Sequence, residues 1–197
     1  MYALNRSTDA TIEPITLEEA KLYLRVSDSA DDEQISVWIK SARNMVEQHT
    51  NRQLMTATWD LYLDHFPYSA DPILLPKSPV QSITSVTYTD TDGATQTWSS
   101  ANYAVDIYSE PARLNLAYSV VYPSTRLIAN AVRVRYVAGW TTAALVPSPI
   151  RVAMLMHIRM HHDGEEDKAR QAIFNLLEPY RVGDEFTCYG AESYDTD

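Results

Sequence analysis

The sequence predicts an α+β fold: a helical bundle, built from two N-terminal and two C-terminal helices, with a small antiparallel β domain inserted between the pairs. Three observations predict it. Apolar residues recur at helical spacing from Leu17 to His49, the period changes to two between Met55 and Val137, and helical spacing returns after Pro149. The implied division is 1–52 for an N-terminal helical hairpin, 53–146 for the β domain, 147–182 for the C-terminal helices completing the helical body, and 183–197 for a flexible acidic tail.

The first helix opens on Thr16-Leu17-Glu18-Glu19, a capping box in which the Thr hydroxyl accepts the N3 amide while Glu19 reaches back. Ile15 is placed to staple onto Ala20, and the helix is expected to end near Val26. After an acidic link, Asp31 or Asp32 is expected to cap a longer helix, with acids at its positive end. Ile35, Trp38, Ile39, Ala42, Met45, Val46 and His49 form its apolar stripe. Asn51, tolerant of positive φ, is the expected stop.

Met55, Ala57, Trp59, Leu61 and Leu63 then alternate with polar residues, the pattern of a half-buried strand. Prolines at 67, 72, 76 and 79 leave room only for short strands such as Ile73-Leu74-Leu75. Val80 to Tyr88 and Thr95 to Trp98 flank Asp92-Gly93 as a hairpin. Tyr103 to Ile107, Arg113 to Leu116 and Val132 to Val137 complete a compact antiparallel sheet or small barrel. Ser148-Pro149 reads as a cap and N1 proline. Ile150, Ala153, Met154, His157, Ile158 and His161 form the inward stripe of the third helix, and Gly164 breaks it. A final helix carries Ala169, Ala172, Ile173, Leu176 and Leu177 before Pro179 stops it.

The chain has 197 residues, a formal charge of −10 and a pI near 4.9, against tight non-specific binding to DNA or anionic membrane. A lone cysteine, Cys188, makes no internal disulfide, as expected of a reducing cytoplasm. The first residues lack a basic segment followed by an apolar run, and no stretch nears the roughly 18 apolar residues of a membrane helix. The expectation is a soluble, acidic, intracellular protein.

Enzyme chemistry finds little support. His157 and His161, one helical turn apart, could share a metal with Glu165, but the zinc-protease pattern needs Glu where Ile158 stands. Packing or solvation near a helix C-terminus accounts for these imidazoles as well. Asp28, Asp31, Asp32 and Glu33 lack the central Gly and late Glu of a calcium loop, and helix capping explains them. There is no phosphate-cradling glycine loop and no nucleophile elbow, so no cofactor is expected. Arg133 and Arg135 share an exposed strand face, where arginines are usually solvated. Trp59, Trp98 and Tyr103 leave open a carbohydrate- or peptide-binding β module, although core and strand-pair roles are commoner for such aromatics.

The order of landmarks resembles the head–tail connector (adaptor) family of long-tailed bacteriophages and gene transfer agents, from about Ile15 to Val182. The resemblance rests on Ile15-Thr16-Leu17-Glu18-Glu19-Ala20-Lys21, Leu24-Arg25-Val26, Thr50-Asn51-Arg52-Gln53-Leu54 and Thr58-Trp59. It continues through Leu63-Asp64-His65-Phe66-Pro67, Leu75-Pro76-Lys77-Ser78-Pro79-Val80, Tyr103-Ala104-Val105-Asp106 and Val132 to Trp140. It closes on Val146-Pro147-Ser148-Pro149-Ile150 and Leu177-Glu178-Pro179-Tyr180-Arg181-Val182. Asn51 stands where relatives usually carry Gly, and 183–197 extends past the point where many relatives end. The resemblance implies a non-catalytic virion protein in a ring, typically of twelve, that bridges the portal protein and the stopper or tail-completion proteins. Double-stranded DNA would pass through its channel without specific binding. Its C-terminal segment would reach the portal, which makes Leu177, Pro179, Tyr180, Arg181, Val182 and Phe186 the expected portal contacts.

Overall fold

The structure, a computed structural model, describes residues 2–164 and 166–183, without the side chains of 166–169. These residues form two compact units: a helical unit of 10–56 and 139–183, and a β unit of 2–9 and 57–138. The fold is α+β, with four helices and antiparallel sheets. Glu165, Phe186, Cys188 and the acidic tail from residue 184 onward lie outside the described residues.

The helical unit contains α1 (Leu17–Leu24), α2 (Asp32–Thr50), α3 (Ser148–Asp163) and α4 (Glu166–Leu177). Both halves of the capping box form at α1: the Glu19 amide donates to Thr16 Oγ1 at 3.1 Å and the Thr16 amide to Glu19 Oε2 at 3.0 Å. Glu19 also pairs with Arg151 of α3, so one carboxylate fixes a helix start and ties two helices. The Thr16 amide, aided by Arg151, holds that carboxyl below its ordinary pKa. α1 ends at Leu24 with Arg25 in the left-handed region, and α2 ends on Asn51 at φ 54°. Asp31 sits at the N-cap of α2, but its side chain makes no capping bond. Asp32, in the first turn, instead accepts Lys21 Nζ at 2.6 Å, so the acids of this link act more through charge than through capping. The cap of α3 is Pro147 rather than Ser148, which puts Pro149 one position further in. Ile15, Ile35, Ile39, Val46, Ile150, Met154, Ile158, Ile173 and Leu177 share the core.

The β unit has two sheets. β1 (Tyr2–Thr8), β2 (Ala57–Leu63), β8 (Val132–Ala138), β4 (Val80–Thr89) and β5 (Thr95–Trp98) lie in that order. β3 (Ile73–Leu75), β7 (Ala112–Leu116) and β6 (Tyr103–Asp106) make the second sheet. All these strand pairs are antiparallel, and the two sheets share one core around Trp59, Leu61, Leu75, Leu114, Val134 and Tyr136. β1 has no buried residue and carries no apolar alternation. It pairs with β2 from Tyr2↔Leu63 to Thr8↔Thr58, so residues expected with the helical hairpin belong to the sheet.

Arg135 is not simply solvated. It grips Asp60 with both arms, Nε to Oδ1 at 2.8 Å and Nη2 to Oδ2 at 2.7 Å, and Asp60 is only 2% exposed. The Arg135 bonds and charge, with Arg133 adding to the field, hold the Asp60 carboxyl below its ordinary pKa despite desolvation. A depressed folded-state pKa stabilises the fold above the unfolded value and ceases to do so as pH falls through the folded one. Asp60→Asn is therefore expected to cost about 1–3 kcal/mol at pH 7. The gap to wild type should close in acid, as read by urea melts at pH 7 and pH 3. A gap that widens in acid would contradict the assignment.

Candidate functional site

The end of α4 is held against the end of α2. Leu177 is fully buried, Glu178–Tyr180 form a single 3₁₀ turn around Pro179, and the chain then extends. Two bonds from the α2 terminus hold this segment. Arg52, itself buried, donates Nε to the Tyr180 carbonyl at 2.5 Å, and the Val182 amide donates to the Thr50 carbonyl at 2.9 Å. The His49 ring lies 4.6 Å from that of Phe174, with Nε2 3.6 Å from Glu178 Oε2. A carbonyl at a helix end has no partner within its helix, so the Val182 amide satisfies the Thr50 carbonyl at the end of α2 and the Arg52 guanidinium the Tyr180 carbonyl at the end of the 3₁₀ turn.

The expected portal contacts therefore separate. Leu177 and Val182 are core residues, 0% and 4% exposed, and anchor the segment from inside. Pro179 and Arg181 are exposed and Tyr180 is half-buried, so these three present the surface of the turn. Sequence reasoning missed Arg52 and Thr50 as the residues that hold it. The only signal was their position beside Asn51, whose left-handed backbone turns the chain just before Arg52.

A buried polar network also holds the chain at this terminus. Glu47 Oε1 accepts Gln53 Nε2 at 2.6 Å and the Leu54 amide at 3.0 Å, while Oε2 lies 3.7 Å from Arg43. Arg43 Nε in turn donates to Glu13 at 2.8 Å. Arg43, Glu47 and Gln53 are each no more than 4% exposed, and every one of them has a partner, as burial of charge demands.

His157 and His161 do meet, Nε2 to Nε2 at 3.0 Å with their rings at right angles. Burial, reinforced by His161 and Arg170, pushes the His157 pKa down to about 4. His161 stacks on Trp38 and His162 bonds to Asp163. No group of three His, Cys, Asp or Glu side chains placed to hold a metal occurs among the described residues, and Glu165 lies outside them. A shared hydrogen bond is the chemistry this pair displays.

Two of the three aromatics are core, and the third is half-buried against it. Trp59 and Trp98 are 8% and 5% exposed, with Arg6 and Lys77 over the Trp59 ring. Tyr103 packs on Trp98 at 5.4 Å, and Trp98 also contacts Phe66 and Tyr122. Trp59 and Trp98 are too buried to offer the open stacking face that a sugar platform needs.

Residues 14–113 match the family described as phage gp6-like head-tail connector protein. No curated protein matches. Among solved structures, a chain from the neck of an empty GTA particle computed with C6 symmetry is 19% identical at TM-score 0.77, covering 92% of this chain and 96% of its own. One from the virion of a native gene transfer agent (GTA) particle is 18% identical at TM-score 0.76, covering 91% and 95%. One from the neck of a native GTA particle computed with C12 symmetry is 17% identical at TM-score 0.71, covering 92% and 96%. These are likenesses of fold.

Proposed function

The chain belongs to the phage gp6-like head–tail connector family, and on that premise we propose that it is a structural ring subunit of a virion neck, seated between the portal and the stopper or tail-completion proteins. The observation that carries this reading is the family match over 14–113, which spans α1, α2 and most of the β unit. The fold likeness to chains from GTA necks at six- and twelve-fold symmetry supports a ring, with twelve copies as the proposed number. The role is architectural and needs no catalytic group or cofactor. A net charge of −10 suits a conduit whose walls repel phosphate, so that DNA slides through without being held.

The portal contact is proposed at Pro179, Tyr180 and Arg181, presented by a turn that Leu177 and Val182 root in the core. Phe186 stays a candidate beyond the described residues. A rooted turn costs little ordering on docking, and an aromatic beside an arginine is a common anchor pair.

Mixing the protein with its cognate portal and imaging the complex by electron microscopy tests both parts. Twelve-fold density at the portal vertex is expected with the full chain, and Arg181→Glu is expected to weaken binding about 10- to 100-fold. Removing 184–197 reports separately on Phe186 and the tail. Mature infectious particles whose necks lack the protein would overturn the reading.

A further inference from the structure

The outer face of the five-stranded sheet carries two arginines of unequal standing. Along β8 the buried Val132, Val134 and Tyr136 alternate with Arg133 and Arg135, which share the opposite face. The register sets Arg133 between Tyr62 of β2 and Thr87 of β4, with Thr97 of β5 beyond. In the next row Arg135 stands between Asp60 and Ser85. Apart from Asp60, these neighbours offer hydroxyls and no carboxylate.

Arg135 spends both arms on Asp60, and Asp60 both oxygens on Arg135. Arg133 acts on that carboxylate through its charge, while its own Nε is buried without a hydrogen-bond partner. A buried donor left open costs free energy, so one that persists points to an acceptor outside the described residues. The Asp60–Arg135 pair shows which acceptor suits this face. A guanidinium matches a carboxylate with parallel bonds, and Tyr62 and Thr87, the register neighbours of Arg133, supply hydroxyl donors for further lone pairs.

The chain carries such carboxylates beyond the described residues. Residues 184–197 hold five acids and no Lys or Arg, half of the formal charge of −10. They follow the exposed Gly183, next to Val182, whose amide is fixed on the Thr50 carbonyl. A segment of that length reaches up to about 45 Å, and a tethered segment meets its site at an effective concentration of about millimolar, so a weak contact suffices. We propose that the acidic segment 184–197 docks on the outer face of the five-stranded sheet, with one of its carboxylates on Arg133. DNA phosphate is the poorer candidate for this face, because the net charge of the chain opposes it. The docking stands independently of the ring reading.

Cys188 is the only cysteine and lies in that segment, so the full chain takes a single nitroxide spin label there. A slow component is expected in the spin-resonance spectrum, and Arg133→Glu is expected to shorten the rotational correlation time at least about threefold. Replacing the five acids by their amides alters no described residue and should release the label to the same extent. Salt at about 0.5 M should do so in the unsubstituted chain. Arg113→Glu, at an exposed arginine of β7, is the control for net charge and should leave the label slow. A label already fast in the unsubstituted chain, one that stays slow in Arg133→Glu or in the amide variant, or one released equally by Arg113→Glu would overturn the docking.

Discussion

Gly139→Ala is expected to destabilise the protein by about 4 kcal/mol, lowering the melting temperature by roughly 10 °C. Gly139 has φ +103°, where a side chain is strained whatever the space around it. An added Cβ would also lie 2.4 Å from the Met55 carbonyl oxygen and 2.9 Å from the Thr56 nitrogen. Both are backbone atoms, held in place because the Trp140 amide donates to the Leu54 carbonyl at 3.1 Å and Met55 bridges Trp140. Neither segment can yield without breaking that pairing. Gly164, at φ +70° beyond α3, supplies the control: a Cβ there meets nothing within 4 Å. Gly164→Ala should cost only the conformational part, about 1 kcal/mol. Thermal melts of the two variants isolate the steric share, and equal losses would refute it.

Glu47→Ala is the second large expected loss, about 3–4 kcal/mol. It leaves Gln53 Nε2 and the Leu54 amide buried without their acceptor and takes one of two carboxylates from Arg43. Leu54 follows the Thr50–Arg52 segment that holds the C-terminal turn, so the loss should spread to that turn. Hydrogen exchange of the Val182 amide should accelerate along with global destabilisation. Glu47→Gln, which keeps an acceptor but not the charge, should fall between wild type and alanine. A variant as stable as wild type would show that the network contributes nothing net.

Local chemistry was the legible part of this fold. Thr16 and Glu19 are three residues apart, and Asn51 needs only its own backbone tolerance; both features could be read from a few adjacent letters. The alternation in 57–63 and 132–138 was equally plain, because each of these strands buries one face. β1 escaped notice because it is an edge strand without a buried residue, joined to β2 through backbone bonds that leave no apolar imprint. Asp60 looked like an outward polar residue of an alternating strand; its partner Arg135 is 75 residues away, and no period links them. Gly139 likewise carries its meaning only beside Met55. At the candidate site, Leu177 and Val182 lie in a motif with exposed residues. Burial divided that motif, and burial depends on α2, more than a hundred residues earlier.

The bridge between Met55 and Trp140 places the two ends of the 57–138 segment side by side. For the helical frame, that whole stretch is a loop closed at its neck. Such a loop can lengthen, shorten or be exchanged at small entropic cost to the frame that holds it. A change of length within 57–138 therefore leaves the Met55–Trp140 pairing intact, while any new segment has to keep an edge for β1 to pair with.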